Sequence, residues 1–120
     1  MAKPGETGIT RIISATNNSL RGMRNCWKTE AAFRQEFILC VILVPLGLYL
    51  GNGGLEKAML VSVCFLVLIV EILNSGIEAA IDRIGPEHHE LSGLAKDLGS
   101  AAVLVSLVLV GITWALILLI

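Results

Sequence analysis

Four polar side chains recur along one stretch of an otherwise apolar sequence. Glu71 follows six apolar residues, and Asn74, Glu78 and Asp82 come three, seven and eleven residues later. In an α-helix this spacing puts all four on one face, with Ser75 beside them. Glu71 and Glu78 would then stand roughly 10 Å apart. The pattern predicts a helix that carries carboxylates from an apolar zone toward its surface.

An acidic side chain inside an apolar span requires an explanation. Inserting such a carboxylate costs at least about 2.5 kcal/mol, so it normally faces protein or a cavity and marks function. Helix packing through interhelical hydrogen bonds is the alternative, which Asn74 and Ser75 could fill more cheaply than Glu71. For Asp82, near the helix end beside Arg83, we expect an interfacial salt bridge.

Further charged residues flank the neighbouring apolar segments. Glu30 and Arg34 have the spacing of an ion pair on a helix surface, but Glu30 could equally meet Glu78, where two carboxylates would suit Mg²⁺ bound together with phosphate oxygens. Lys96 and Asp97 precede another apolar run, and a lysine there could hold a phosphate. These two alternatives for Glu30 remain open at the level of sequence.

Several other kinds of site are not expected. The adjacent His88 and His89 lack the spacing of a helical zinc motif, and the three cysteines define neither a disulfide framework nor a metal site. No phosphate-binding loop of the GxxxxGK[ST] type is present. A net charge of −1 gives no basic field for nucleic acid, so a nucleic-acid partner is not expected.

The composition predicts an all-α membrane protein. The chain has 120 residues, 55% of them hydrophobic, and a mean hydropathy of +0.80. About 20 mostly apolar residues span a bilayer core, and the sequence offers three such segments. We expect one domain over residues 1–120, with a surface helix at about 6–28 and transmembrane helices at about 30–50, 55–84 and 92–120. Pro45 could kink the first span, while Gly85 and Pro86 would end the second.

The segment before the first span is amphipathic. Between residues 9 and 28 the apolar side chains share one side of a helix and the polar and basic ones the other, which is typical of a helix lying in the membrane interface. A helix packed on the spans is the alternative. Most basic residues lie before the first span, and further ones flank the second connection, so the positive-inside rule places both in the cytoplasm. The N-terminal basic residues are Lys3, Arg11, Arg21, Arg24, Lys28 and Arg34.

Three runs of the sequence resemble one enzyme family. EAAFRQE (30–36), VEILNSGIEAAIDRIG (70–85) and HELSGLAKDLGSAAVL (89–104) are similar to the bacterial integral-membrane diacylglycerol kinases, and the resemblance covers nearly the whole chain. It implies transfer of the ATP γ-phosphate to diacylglycerol, giving phosphatidic acid, by a homotrimer with shared sites in the bacterial inner membrane. The family favours aromatic residues near positions 18 and 20, where this chain has Asn18 and Leu20.

The resemblance also implies roles for particular residues. Glu71 matches the catalytic base, and Glu30 and Glu78 match the carboxylates that hold the Mg²⁺ bound to ATP. The remaining nucleotide-binding positions are Arg11, Asn18, Glu87, His88, His89, Lys96 and Asp97. The positions at the lipid substrate or supporting the site are Arg11, Ala32, Phe33, Arg34, Gln35, Glu36, Glu71, Asn74 and Ser100.

Two other functions remain as alternatives. Undecaprenol kinase would use the same phosphoryl chemistry on a polyprenol. The choice of acceptor depends on the groove between the spans, and the sequence does not give the dimensions of that groove. A small proton-coupled transporter could also depend on one intramembrane glutamate, although such proteins usually have four spans with the acid in the first. A purely structural membrane protein is a third, weaker alternative.

Overall fold

A computed structural model describes residues 4–120, so Lys3 lies outside the described residues. The described residues form four helices and no strand: α1 (Gly8–Thr29), α2 (Ala31–Leu50), α3 (Gly53–Ile84) and α4 (Glu90–Leu119). The last three are long and apolar enough to cross a membrane. The predicted class, three spans and an N-terminal amphipathic helix in an all-α protein, is therefore confirmed.

The central helix is α3, which contacts each of the other three. Apart from the adjacent Val63 and Cys64, its buried residues are spaced three or four apart, so they form one stripe along the helix. The stripe begins with apolar side chains and continues, on the same face, into two polar ones. In chain order its members are Leu60, Val63, Cys64, Val67, Glu71 and Asn74. The hydrophobic core of the bundle therefore leads directly into the polar site.

Small residues let the neighbouring helices approach α3. On α2 a Cβ at Gly47 would lie 3.1 Å from the Cβ of Leu60, and the indole Nε1 of Trp114 donates a 3.2 Å hydrogen bond to the Leu60 carbonyl oxygen. On α4 the buried residues are Gly99, Ser106 and Thr113, at intervals of seven. Close backbone approach at small residues is the usual way in which membrane helices gain packing contact.

Helix α1 presents its apolar face away from the rest of the chain. Ile9, Ile12, Ile13 and Leu20 are at least half exposed, and no residue of α1 is buried. The molecule measures 48 × 42 × 21 Å. Packed helices have axes roughly 8–10 Å apart, so three of them are narrower than the 42 Å dimension. Helix α1 thus extends to the side of the spans with an uncovered apolar face, as an interfacial helix requires.

Candidate functional site

A single residue separates α1 from α2, and that residue is Glu30. Its backbone is extended (φ −114°, ψ 105°), so it ends one helix and caps the next. The Nη1 of Arg34 donates hydrogen bonds to the carbonyl oxygens of Trp27 (2.7 Å) and Lys28 (3.3 Å) at the end of α1. Arg34 therefore stabilises this corner between α1 and α2. Of the two alternatives left open for Glu30, the surface ion pair with Arg34 is not formed within residues 4–120.

Glu71 is the buried centre of the site. Glu71 is only 4% exposed, and Glu36, from α2, is 8% exposed and lies close enough to interact with it electrostatically. Glu30 and Glu78 are both near enough to interact electrostatically with Glu71. Four acidic side chains are thus brought together from three parts of the chain. Glu30 comes from the corner before α2, Glu36 from α2, and Glu71 and Glu78 from α3.

Asn74 connects this acidic group to α4. Its Nδ2 donates a 3.2 Å hydrogen bond to Oε1 of Glu78, one turn along α3. Its Oδ1 is buried without a hydrogen-bond partner, and it lies where a Cβ at position 99 would stand. Because Gly99 has no side chain, α4 can lie directly against the Asn74 amide. Gly99 thereby fixes the amide that orients Glu78.

A salt bridge joins the polar ends of α3 and α4. The Nζ of Lys96 lies 2.8 Å from Oδ1 of Asp82, and Lys96 also interacts with Glu78. The expected pairing of Asp82 with Arg83 is wrong, because adjacent residues on a helix point about 100° apart whereas Lys96 faces Asp82 across the interface. Both partners are well exposed, at 44% and 68%, so the bridge contributes little to stability.

The connection between α3 and α4 carries three predicted nucleotide contacts. Gly85 ends α3 with a φ of 153°, a conformation that favours glycine. Glu87 and His88 are exposed in the turn that follows. His89 caps α4: its Nδ1 accepts a 3.1 Å hydrogen bond from the backbone N–H of Leu91. This connection therefore places the three residues at the same end of the bundle as Glu78 and Lys96.

A groove of about 550 Å³ separates the polar side of α1 from α3, and Glu30 lies on its wall. Asn18 and Arg21 line the α1 side, and Nη1 of Arg21 donates a 3.2 Å hydrogen bond to Oδ1 of Asn18. Arg11 is not part of this group. It lies 19 residues before Glu30, about 28 Å along the helix, so one chain alone does not bring Arg11 to the acidic residues.

The other predicted lipid-site residues lie on two faces of the bundle. Phe33 is buried with Glu36 on the inner face of α2, while Ala32 and Gln35 on its other side are exposed. Asp97 and Ser100 are exposed on α4, next to Lys96, which is paired with Asp82, and to the buried Gly99. The structure therefore leaves the remaining predicted positions, Arg11 among them, outside the group that it brings together within one chain. The members of that group are Glu30, Glu36, Glu71, Asn74, Glu78 and Lys96.

Sequence reasoning missed one residue of this site and misplaced the contact of another. Gly99 was part of the motif HELSGLAKDLGS, and its signal was the repeat of small residues at 99, 106 and 113. Asp82 was assigned to the wrong partner. Both depend on how α4 is rotated against α3, which the periodicity of either helix alone does not determine.

The carboxylates provide the oxygen ligands that Mg²⁺ prefers. Within the described residues, however, no group of three His, Cys, Asp or Glu side chains is arranged to hold a metal ion. Glu30 and Glu78, both half-buried, would leave most coordination positions to other oxygens. This donor set fits a metal that arrives with phosphate groups, and it does not fit a permanently bound ion.

Fold and site together define a small helical membrane protein whose acidic centre lies at the polar end of its spans. Residues 17–118 match the sequence pattern of the family described as prokaryotic diacylglycerol kinase. The chain is 51% identical over 112 residues to the diacylglycerol kinase of Escherichia coli (strain K12), covering 93% of this chain and 92% of the relative. It is 50% identical over 115 residues to that of Pseudomonas aeruginosa, covering 96% and 94%. The chain belongs to the prokaryotic diacylglycerol kinase family.

The contact between Gly99 and Asn74 predicts the effect of one added methyl group. Gly99→Ala should lower the free energy of unfolding, because the new Cβ overlaps the Asn74 amide. The matched control is Gly93→Ala on the same helix, where a Cβ meets no atom within 4 Å and the change should stabilise by up to about 1 kcal/mol. Adding Asn74→Ala should relieve the overlap, with a coupling of about 0.5–3 kcal/mol in denaturation of micellar protein. Additive effects of the two substitutions would contradict the contact.

Proposed function

We propose that this protein is an ATP-dependent lipid kinase that phosphorylates the hydroxyl of diacylglycerol, giving phosphatidic acid at the cytoplasmic face of the bacterial inner membrane. The observation that carries the proposal is the position of Glu71, a buried carboxylate where the apolar stripe of α3 becomes polar. Family membership supports the same activity, and the relatives' name favours neither the polyprenol kinase nor the transporter alternative.

Glu71 is proposed as the catalytic base. A diacylglycerol keeps its tails in the bilayer and its hydroxyl near the interface, so a carboxylate at the end of an apolar helix face can meet that hydroxyl without extracting the lipid. In the transfer, the acceptor O–H bond breaks and its proton goes to Glu71. The acceptor oxygen bonds to the γ-phosphorus, and the bond to the β-phosphate oxygen breaks with its electron pair leaving on ADP.

Glu30 and Glu78 are proposed to hold the Mg²⁺ that accompanies ATP. The metal would neutralise charge on the β- and γ-phosphates as it develops during transfer. Asn74 supports this role because its hydrogen bond orients the Glu78 carboxylate, and the extended backbone between α1 and α2 positions Glu30. Both residues lie close to Glu71, so their ligand would be held next to the proposed base.

The nucleotide is proposed to bind on the same side. Lys96 could exchange Asp82 for a phosphate, because a well-exposed salt bridge is weak. Further nucleotide contacts are proposed from the residues around Lys96. They are Asn18 on the wall of the α1 groove, the connection residues Glu87, His88 and His89, and Asp97. For the lipid, we propose the inner face of α2 with Phe33 and Glu36, together with Asn74 and Ser100.

Assembly into a homotrimer with shared sites is part of the proposal. A single chain leaves large apolar residues exposed along all three spans, and Oδ1 of Asn74 and Oγ of Ser75 are buried without partners. Intramembrane polar groups need partners, which a neighbouring subunit could provide. Arg11, about 28 Å along α1 from Glu30, would then reach the site of a different subunit.

The deciding experiment measures phosphate transfer from labelled ATP to lipid. The purified protein is reconstituted with diacylglycerol in one sample and undecaprenol in another, with Mg²⁺ present. We expect product with diacylglycerol and little with the polyprenol. A clear preference for undecaprenol would replace the proposed acceptor, and no lipid phosphorylation in correctly folded protein would end the kinase proposal.

The role of Glu71 is tested by Glu71→Gln. The amide keeps the shape of the side chain but cannot take the acceptor proton, so kcat should fall by about 10²- to 10⁴-fold. Assembly, measured by crosslinking in micelles, should be unaffected. A loss of less than about tenfold would remove Glu71 as the base, since general-base catalysis typically contributes more than that.

The proposed metal ligands are tested by Glu30→Gln and Glu78→Gln. Each change should raise the apparent KM for Mg²⁺-ATP far more than the KM for diacylglycerol, because the amide is a weaker ligand for a hard cation. Glu90→Gln, at the exposed start of α4, serves as a control for the loss of a surface charge. A main effect on the lipid constant would contradict the metal assignment.

The shared site is tested by mixing two inactive variants. Glu71→Gln subunits and Arg11→Ala subunits should restore part of the activity when they assemble together, because the proposal takes the two residues of one site from different chains. The restored fraction should follow random mixing of subunits. If crosslinking shows mixed assemblies without recovery, Glu71 and Arg11 do not act from different chains.

A further inference from the structure

Lys96 is the cation of the group of side chains that one chain brings together, and a salt bridge already occupies it. Its Nζ lies 2.8 Å from Oδ1 of Asp82, in a contact that is both an ion pair and a hydrogen bond. The other charged members of the group are four carboxylates, Glu30, Glu36, Glu71 and Glu78. A ligand that carries phosphate groups therefore meets a lysine that is paired with an anion of the protein.

The salt bridge lies where its anion can be exchanged. The side chains of Lys96 and Asp82 are 44% and 68% exposed, so water can solvate both charges when they separate. An exposed ion pair contributes little, because water weakens the attraction and two long side chains lose freedom. A phosphate group has more charge and more acceptor oxygens than a carboxylate. It can therefore displace Asp82 from Lys96.

The register of α3 makes this exchange a short movement. Asp82 follows Glu78 by four residues, so their carboxylates lie one turn apart on the same face, roughly 6 Å along the axis. The Nδ2 of Asn74 orients the Glu78 carboxylate. Lysine carries its ammonium group on a flexible four-carbon stem. Side-chain rotation alone can therefore carry Lys96 from Asp82 to a phosphate group bound near Glu78.

We propose that Asp82 competes with the phosphate groups of the nucleotide for Lys96 and thereby sets how tightly the nucleotide is held. This role of Asp82 rests on the proposed function, because it requires that Lys96 binds phosphate. Asp82 itself touches no substrate and acts through Lys96, so it is a positioning residue. It has no other part in the proposed reaction.

The competition acts on both nucleotides of the reaction. Every contact that holds ATP through phosphate groups common to ADP also slows the release of ADP, and product release limits the turnover of many enzymes. Asp82 offers Lys96 an alternative anion as ADP leaves. The expected consequence is a lower affinity for nucleotide and a faster release of the product nucleotide.

A purely structural salt bridge is the alternative. Asp82 and Lys96 lie 14 residues apart, on either side of the connection between α3 and α4, so the bridge could simply hold Lys96 in the position from which it binds phosphate. The two roles predict opposite effects of Asp82→Asn. Removing a competitor tightens nucleotide binding, whereas removing a support weakens it.

Nucleotide binding is measured by calorimetry on the full-length protein in maltoside micelles, with the Mg²⁺ complex of a non-hydrolysable ATP analogue. We expect Asp82→Asn to bind the analogue about two- to fivefold more tightly than the unmodified protein, the range typical of an exposed ion pair. The matched control is Glu90→Gln, which removes one negative charge at the exposed start of α4. Equal effects of the two substitutions, or weaker binding by Asp82→Asn, would overturn the proposal.

A double-mutant cycle tests whether Asp82 acts through Lys96. Lys96→Ala should weaken binding, and adding Asp82→Asn should then change it no more than Glu90→Gln does, because no ammonium group remains to be released. The Tm of Asp82→Asn should stay near that of the unmodified protein, since the bridge contributes little to stability. If Asp82→Asn tightens binding equally without Lys96, general charge repulsion explains the effect and the competition is disproved.

Further outcomes separate the competition from the proposed function. A parallel measurement with phosphatidic acid in the same micelles distinguishes the two sources of phosphate, and tightening for this lipid alone would contradict competition with the nucleotide. If Lys96→Ala weakens binding but Asp82→Asn matches its control, the phosphate contact stands and the competition fails. If Asp82→Asn tightens binding as expected while no lipid is phosphorylated, the competition stands and the kinase proposal fails.

Discussion

Ionised carboxylates are unstable in hydrocarbon, and the arrangement of the whole bundle follows from keeping Glu71 out of it. The side chain lies on the stripe of α3 that α2 and α4 cover, where it is only 4% exposed. On the lipid-facing side of the same helix it would have neither protein neighbours nor water. The core residues nearer the apolar end, with Leu60 and Cys64 fully buried, fix the rotation of α3 that makes this shielding possible.

The second requirement is that buried polar groups be held rather than merely covered. Asn74 is hydrogen-bonded to Glu78 and packs against α4 at Gly99, so α3 and α4 together determine its position. Glu30 is held in a different way, by the change of chain direction between α1 and α2, which Arg34 stabilises. Rigid placement of this kind is what phosphoryl transfer demands, because that chemistry depends on positioning and charge neutralisation more than on reactive side chains.

The sequence predicts the helices and the polar face well, because both follow from local periodicity. A span needs only a long apolar run, and the spacing of Glu71, Asn74 and Glu78 places them together whatever surrounds the helix. Contacts between helices were predicted poorly. These contacts depend on how the helices are rotated against each other, which is determined by packing along the full interface. The examples are the salt bridge of Lys96 with Asp82, the hydrogen bonds of Arg34 to the end of α1 and the contact of Gly99 with Asn74. Glu36 was assigned to the site by resemblance alone, since nothing in the spacing of α2 indicates which residue of α3 it faces.

The stripe on α3 has a consequence for how this protein can change during evolution. One helix carries, on successive turns, the apolar core, the proposed base, the amide and the proposed metal ligand. The position of each along the helix and around its axis is therefore set by the same helix register. Substitution alters one member at a time, whereas inserting or deleting one residue between Leu60 and Glu78 would rotate everything beyond it by about 100°. A change of seven residues, two turns, would nearly restore the angle, but it would move the carboxylates roughly 10 Å along the helix axis. The length of this segment is therefore constrained more tightly than its composition.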